Sequence, residues 1–510
     1  MIISLSVLVI TIIVSGTYAL YKAQLSKNIG VNTTTHGLAY YINYVKGTDI
    51  TAATLNPSTS YEGGASSDIE FWKKDDSYDI YGKIELTVNT IGTNLSNSPA
   101  LKYAVVNNGN VLKEGSLKGT TSGSKVTILK NLYLEQTKQI YTVYVWLDNS
   151  EELGNISNES LSISVDCTAS LQKEPTAADT IISLYTSAAK VTATNNSITY
   201  NTAPSVSLMN DRLGGTTTDL DGGNIRYYGA NPNNYIYFNC SDYSNQTSST
   251  CETWRIIGVF DGKLKLIRGS QIGKYSWDNK NKSTGAENNY GKNDWTTARL
   301  MKLLNPSNYY KVDSNDNNLG QSLYYNSASG KCYSGQNNAT KDCDFTSTGI
   351  KNEETRNMIA ETTYNLGGWN SNTVYPNLMY EKERGTTVYT GRPTTPWTGK
   401  IALAYPSDYG YAADLNQCKD KTLYDYNNST CTSNNWMKAI ITNNGSNSGW
   451  LLTPYSSTSG TVWAVRSLGG VGYGYSAYYA IGAVPVLSLS SKLGIESGDG
   501  SSSNPYKLSA

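Results

Sequence analysis

The chain has 510 residues, with 41 Lys plus Arg against 41 Asp plus Glu, and only 16% of it is charged. The length exceeds one ordinary core and predicts two or three domains, while the balanced charge excludes an electrostatic case for nucleic acid or acidic lipid as partner. A single histidine, His36, lies in a polar run, which argues against His-based acid–base catalysis, Ser-His-Asp chemistry and His-ligated metal. There are 41 Tyr against 4 Phe. Phe would serve a core equally well, so two readings stay open for the Tyr excess. It marks a contact surface of rigid amphipathic side chains, or it fills many half-buried strand positions.

Residues 2–21, IISLSVLVITIIVSGTYALY, are nearly uncharged. As a helix of about 20 residues they just span a hydrocarbon core; alternatively residues 2–14 are an apolar export core followed by a small-residue cleavage site ending at Ala19. Residues 1–21 are therefore expected to be a signal peptide or a membrane anchor, and the membrane is met only there. Six of the seven cysteines fall in three local pairs, Cys240 with Cys251, Cys332 with Cys343, and Cys418 with Cys431, each bracketing a short polar insert. Zinc sites bring CxxC spacing or His, which these pairs lack. Disulfides stapling surface loops fit better and require an oxidising compartment, so an extracellular, cell-surface location is expected. Cys167 is left over, as a buried thiol or a cross-link.

From about residue 38 to 167, LAYYINY, DIEFW, IYGKIELTV, LKYAVVN, KVTILKN, IYTVYVWL and LSISV alternate in the strand manner between Gly, Asn, Ser and Asp clusters. Seven such strands predict an antiparallel β-sandwich over 22–167. Residues 168–204 change character and are expected to be a linker with a short helix from Ala177. In 205–510, RIIGVF and KLKLIR flank an Asp261-Gly262 turn, a hairpin signal. Asp294 is expected to cap a helix over WTTARLMKLL that stops at Asn305-Pro306, and Asn352 to cap EETRNMIAETTYNL, with Gly367 as its stop. The whole is a multi-domain chain in which a β-sandwich precedes an α+β domain. Asp313, Asn315, Asp316 and Asn317 hint at a calcium loop, but the sixth-position Gly and twelfth-position acid are missing, so a solvated loop is expected and no metal.

Five ordered blocks in the second domain resemble one family: IRYYGANPNNYIYFNC with TWRIIGVFDGKLKLI, then NDWTTARLMKLLN, IALAYPSDYGYAA, the SGWLLTPYSS…VWAVRSLGGVGYGYSAYYAIGAVPVLSL segment, and SGDGSSSNPYKL. They resemble a surface domain of gut Firmicutes with the C-type-lectin-like fold in its formylglycine-generating-enzyme-related form, as used by variable proteins of diversity-generating retroelements. GTYALYKAQ and YTVYVWLDN make the first domain similar to exported β-sandwich domains of Gram-positive surface and fibre proteins. The resemblance implies that the ligand is met by the last segment, with Trp450, Tyr455, Ser456, Trp463, Arg466, Tyr473, Tyr475, Tyr478 and Tyr479 as contacts. The family commonly reads Gly-Val-Arg-Pro before its final strand; here Gly482-Ala483-Val484-Pro485 stands, without the Arg. The fold's oxidase form uses a paired-cysteine copper site, and no such pair stands here. GGVGYGYSAYY by itself places aromatics on a permissive Gly-rich backbone, with Tyr, Trp and Arg the usual anchors of binding surfaces. The expectation is a non-enzymatic receptor or adhesin for an extracellular protein or glycan ligand, without cofactor; the alternative is a structural subunit of a surface fibre or pilus.

Overall fold

The computed structural model describes residues 23–24, 41–51, 55–151, 153–156, 159–213, 223–279, 291–311, 319–336, 338–389, 392–393 and 396–509. The export segment 1–21, His36 and the Asp313–Asn317 loop lie outside the described residues. Among the described residues no helix is long and apolar enough to cross a membrane. The chain is β-rich, its sheets mostly antiparallel, and it divides into two compact units between Glu174 and Pro175.

The first unit is β-sandwich-like, with two sheets around one core. One runs Ala23–Gln24, Leu161–Ser170, Tyr81–Ile91, Lys125–Tyr133, with Ile50–Thr51 also on Leu161–Ser170. The other runs Ile42–Val45, Ala65–Lys73, Ile140–Asp148, Leu101–Asn107, Asn110–Ser116, with Pro57–Ser58 parallel to Ile140–Asp148. The cause is period-two patterning: Gly82, Ile84, Leu86 and Val88 are buried, and the residues between them are only half-buried. They meet Ile69, Phe71, Val143 and Val145 of the facing sheet in the common core, where truncation of a large side chain to Ala costs about 2–5 kcal/mol. Cys167 is a free thiol inside this core, and burial pushes its pKa up. The sequence reading overlooked the strand Asn110–Ser116, although Asn108-Gly109, with φ of 49° and 75°, forms the tight turn that starts it.

The stretch 168–204, expected as a linker, is instead built into both units. Residues 168–170 complete Leu161–Ser170. Helix Ala177–Ser187 opens on a reciprocal cap between Thr176 and Asp179 and buries Ala177, Ala178, Ile181 and Tyr185 in the core of the second unit. Val191–Asn195 and Ile198–Ala203 then form a hairpin at one edge of the main sheet, turning at Asn196 and Ser197 with φ of 47° and 62°. Its Thr/Asn-rich composition reads as loop, yet alternate positions bury Ala193, Asn195 and Tyr200.

That main sheet runs Val191–Asn195, Ile198–Ala203, Leu208–Asn210, Ile225–Tyr227, Glu252–Phe260, Lys263–Arg268, Val486–Ser488, Ile401–Ala402, with Tyr235–Phe238 on Glu252–Phe260. The Asp261-Gly262 hairpin is present, with φ of 48° and 69°. A second sheet runs Gly273–Tyr275, Ile481–Ala483, Gly449–Pro454, Thr461–Val465, Val471–Ser476. Helices are short. Asp294 accepts the Thr296 amide at 3.1 Å and hydroxyl at 2.7 Å, closing a turn, and the helix itself starts later, at Arg299, and stops before Asn305. Asn352 caps Glu353–Met358 by accepting the Thr355 amide at 2.9 Å, but that helix does not reach Gly367. The Ala360 amide is drawn to the Ser488 carbonyl at 2.8 Å, and Thr362–Tyr364 pairs with Trp397–Gly399. Tertiary pairing overrides the helical propensity of the second half.

The three disulfides join Cys240–Cys251, Cys332–Cys343 and Cys418–Cys431. They point to an oxidising compartment.

Candidate aromatic binding face

The segment from Gly449 to Ala483 forms most of the second sheet, and a side chain far away in sequence fixes its first loop. The buried Asn293 amide donates to the carbonyls of Tyr455, Thr458 and Thr461 at 3.0, 2.8 and 2.8 Å. The loop 455–460 is thereby tied to the Asn293 side chain at three carbonyls. The Tyr455 amide bonds the Thr461 carbonyl at 3.0 Å, and the Ser456 amide bonds that of Trp369 at 3.0 Å.

Val471–Ser476 does not keep all its aromatics on one face. Pairing shifts register between Val462 and Ala464, because Val462 faces Tyr475 whereas Ala464 faces Gly472. One extra residue stands in Val471–Ser476, and Gly474, at φ of 94° with open space around it, accommodates it. Tyr473 and Tyr475, which a regular strand would place on one face, therefore pack against different cores. The nine residues expected as contacts divide accordingly.

On one side, Tyr455 and Tyr473 stack with ring centroids 4.2 Å apart and planes 6° from parallel. Trp463 supports both edge-on, at 6.3 and 5.6 Å. Arg466 lies beyond, its guanidinium 4.8 Å from the Tyr424 ring and donating to that phenol at 3.2 Å. A Cβ on Gly472 would meet the Arg466 Nε at 2.4 Å, so glycine there gives the guanidinium its path across the strand. Trp369, with Lys382 4.8 Å over its ring, borders the group through the bridge between Trp369 and Tyr455. The Tyr455 phenol raises the pKa of Tyr473, since ionising one of two adjacent phenols opposes ionising the other. Tyr455, Ser456, Arg466 and Tyr473 are half-buried, Tyr424 is exposed, and Leu468 at the hairpin tip is 70% exposed.

On the other side, Tyr475 sits 6.3 Å from Trp450 and 6.4 Å from Tyr479, with its hydroxyl 2.9 Å from that of Ser448. Tyr478 and Tyr479 meet edge to face at 4.9 Å. Of these three only Tyr479 is exposed.

Two expected contacts are corrected. Trp450 and Trp463 are 2% and 0% exposed, and each spends its indole N–H internally, Trp450 on the Tyr275 carbonyl at 2.8 Å and Trp463 on that of Trp369 at 3.0 Å. They are the floor under the tyrosines and do not reach a ligand. The reading also missed Trp369, Lys382 and Tyr424, which lie outside the last segment; Tyr424 sits in the loop closed by Cys418–Cys431.

The densest charge lies elsewhere and is sealed. Arg226 donates through Nε to Asp211 and through Nη1 to Asp408 at 3.0 Å, Lys265 donates to the second Asp408 oxygen, and all four side chains are at most 8% exposed. Burial pushes the Asp408 carboxyl up, but Lys265 and Arg226 outweigh it and hold it below the usual range. Glu383 lies beside it, accepting from the Ser407 amide at 2.9 Å and from its hydroxyl, and burial pushes its pKa up to about 7. Buried and paired with one another, these groups brace the strands against the helix. Among the described residues no group of His, Cys, Asp and Glu is placed to hold a metal.

No family model matches the chain, and no curated protein matches it. Among solved structures, a "PBCV-1 virus capsid, quasi-atomic model" aligns at 12% identity over 43% of this chain and 59% of that one, with a TM-score of 0.13. Such a likeness carries no argument about fold or function.

Proposed function

We propose that the protein is an exported bacterial surface receptor or adhesin, and that it binds an extracellular protein or glycan through the Tyr455–Tyr473 face of its second unit. One observation carries this reading. Two parallel-stacked phenols stand half-open at the surface on a floor of buried Trp463, flanked by Arg466, Tyr424, Trp369 and Lys382. Aromatic side chains with few rotatable bonds, held by a packed floor, lose little entropy on binding, and Tyr, Trp and Arg are the usual hot-spot residues. The three disulfides support an extracellular setting. The C-type-lectin-like assignment rests on the five ordered sequence blocks, and the SGWLLTPYSS…VPVLSL block supplies Tyr455, Trp463, Arg466 and Tyr473 to this face. The first unit then serves as the stalk and the second as the ligand-binding head.

The test uses the full chain against an array of extracellular glycans and matrix proteins, beside a Tyr455→Ser, Tyr473→Ser double variant. Signals present for the parent and lost in the folded variant support the reading. Equal signals from both would place binding elsewhere.

A further inference from the structure

A second region of the same unit carries an unbalanced buried charge. Arg255, on strand Glu252–Phe260, is 7% exposed. Its Nε donates to the Asn234 side-chain oxygen at 2.5 Å and its Nη2 to the Pro232 carbonyl at 3.2 Å. Its guanidinium lies 3.6 Å over the Tyr235 ring and 5.0 Å from that of Trp436. All four partners are neutral, and among the described residues no carboxylate pairs with Arg255. Burial accordingly lowers its pKa to about 10. A desolvated cation without a counter-charge is costly, and proteins that keep one usually neutralise it with a partner.

The missing partner has a place to sit. Arg255 lines an open cleft of about 460 Å³ together with Tyr235, Glu252, Arg268, Ser270 and Ile440. The cleft's other charges cancel: Arg268 grips Glu252 with Nε and Nη2 at 2.9 and 3.0 Å. Arg268 also donates to the exposed Ser270 hydroxyl at 2.9 Å, which leaves that hydroxyl's own proton free to donate. The cleft lining therefore carries one net positive charge, from Arg255, together with a hydroxyl donor at Ser270 and an apolar wall at Ile440. We propose that it is a carboxylate subsite for a small hydroxylated ligand of sugar-acid size. One positive charge suits a carboxylate better than a dianionic phosphate. The volume falls in the range of small-molecule sites. This assignment does not rest on the aromatic face.

Isothermal titration of the full chain with sodium glucuronate, glucose and inorganic phosphate tests it. Saturable glucuronate binding is expected with a Kd of about 1 mM or lower, absent for glucose and at least roughly tenfold weaker for phosphate, as charge and geometry require. Ser270→Phe fills the mouth from an exposed position and should abolish binding at unchanged melting temperature. Arg255→Met should abolish binding and lower the melting temperature only modestly, since loss of the donor to the Asn234 oxygen and the Pro232 carbonyl is partly offset by removal of a desolvated charge. Glucose binding as well as glucuronate, phosphate binding more tightly, or full affinity in Ser270→Phe would overturn the assignment. So would a sharp loss of stability in Arg255→Met combined with no glucuronate binding, which would make the guanidinium a structural brace.

Discussion

The Arg226 cluster and the Tyr455–Tyr473 face invert the usual rule of polar outside and apolar inside, in opposite directions. In the first, four charges are buried and every carboxylate meets a cation. In the second, two large aromatic rings stay half-open, though a Trp floor lies directly beneath them. The inward inversion is balanced in charge within the molecule, although Arg226 Nη2 stays buried without a hydrogen-bond partner. The outward one is stacked and supported but not covered, and a partner is what would complete it.

Breaking the cluster should have the largest effect. Asp408→Ala leaves Arg226 with Asp211 alone and strips Lys265 of its carboxylate partner, and should cost about 3–5 kcal/mol of stability, read from denaturant midpoints. A loss under about 1 kcal/mol would mean the charges are not as tightly coupled as their geometry implies.

Trp463→Ala separates floor from contact. Loss of a fully buried indole should cost about 3–5 kcal/mol, whereas Tyr479→Ser, at an exposed position, should stay within about 0.5 kcal/mol. Similar costs for the two would erase the distinction drawn between them.

The pH dependence comes next. The folded-state pKa of Glu383 is raised to about 7 from 4.5, mainly by burial and with Asp408 adding to it, while Arg384 and Ser407 pull it down. Protonation therefore favours the folded state, and this contribution is full below about pH 4.5 and lost as pH rises through 7. Glu383→Gln should be less affected than the parent when the melting temperature is compared at pH 5 and pH 8. An unchanged difference between the two pH values would show that Glu383 titrates normally.

Much of the first unit was legible because its strands bury one face each, so Ile84, Leu86 and Val88 announce themselves by alternation. The cysteine pairing was legible because each pair closes a local loop. Four things were hidden. The hairpin of Val191–Asn195 and Ile198–Ala203 carries a loop-like composition and is ordered by pairing with Leu208–Asn210. The extra residue at Gly474 divides Tyr473 from Tyr475, and sequence spacing alone cannot reveal a bulge. Trp450 and Trp463 read as anchors because residue type says nothing about which end of an indole faces water. Trp369 and Tyr424 were missed because only folding brings them to the last segment.

Hydroxyl-radical footprinting of the full chain, with and without the ligand found on the array, tests the central claim most directly. Tyr455, Tyr473 and Tyr424 should become protected on binding, while Trp463 stays unreactive in both states and the tyrosines of the first unit stay unchanged. Protection confined to the first unit, or to the Cys240–Cys251 loop, would contradict it.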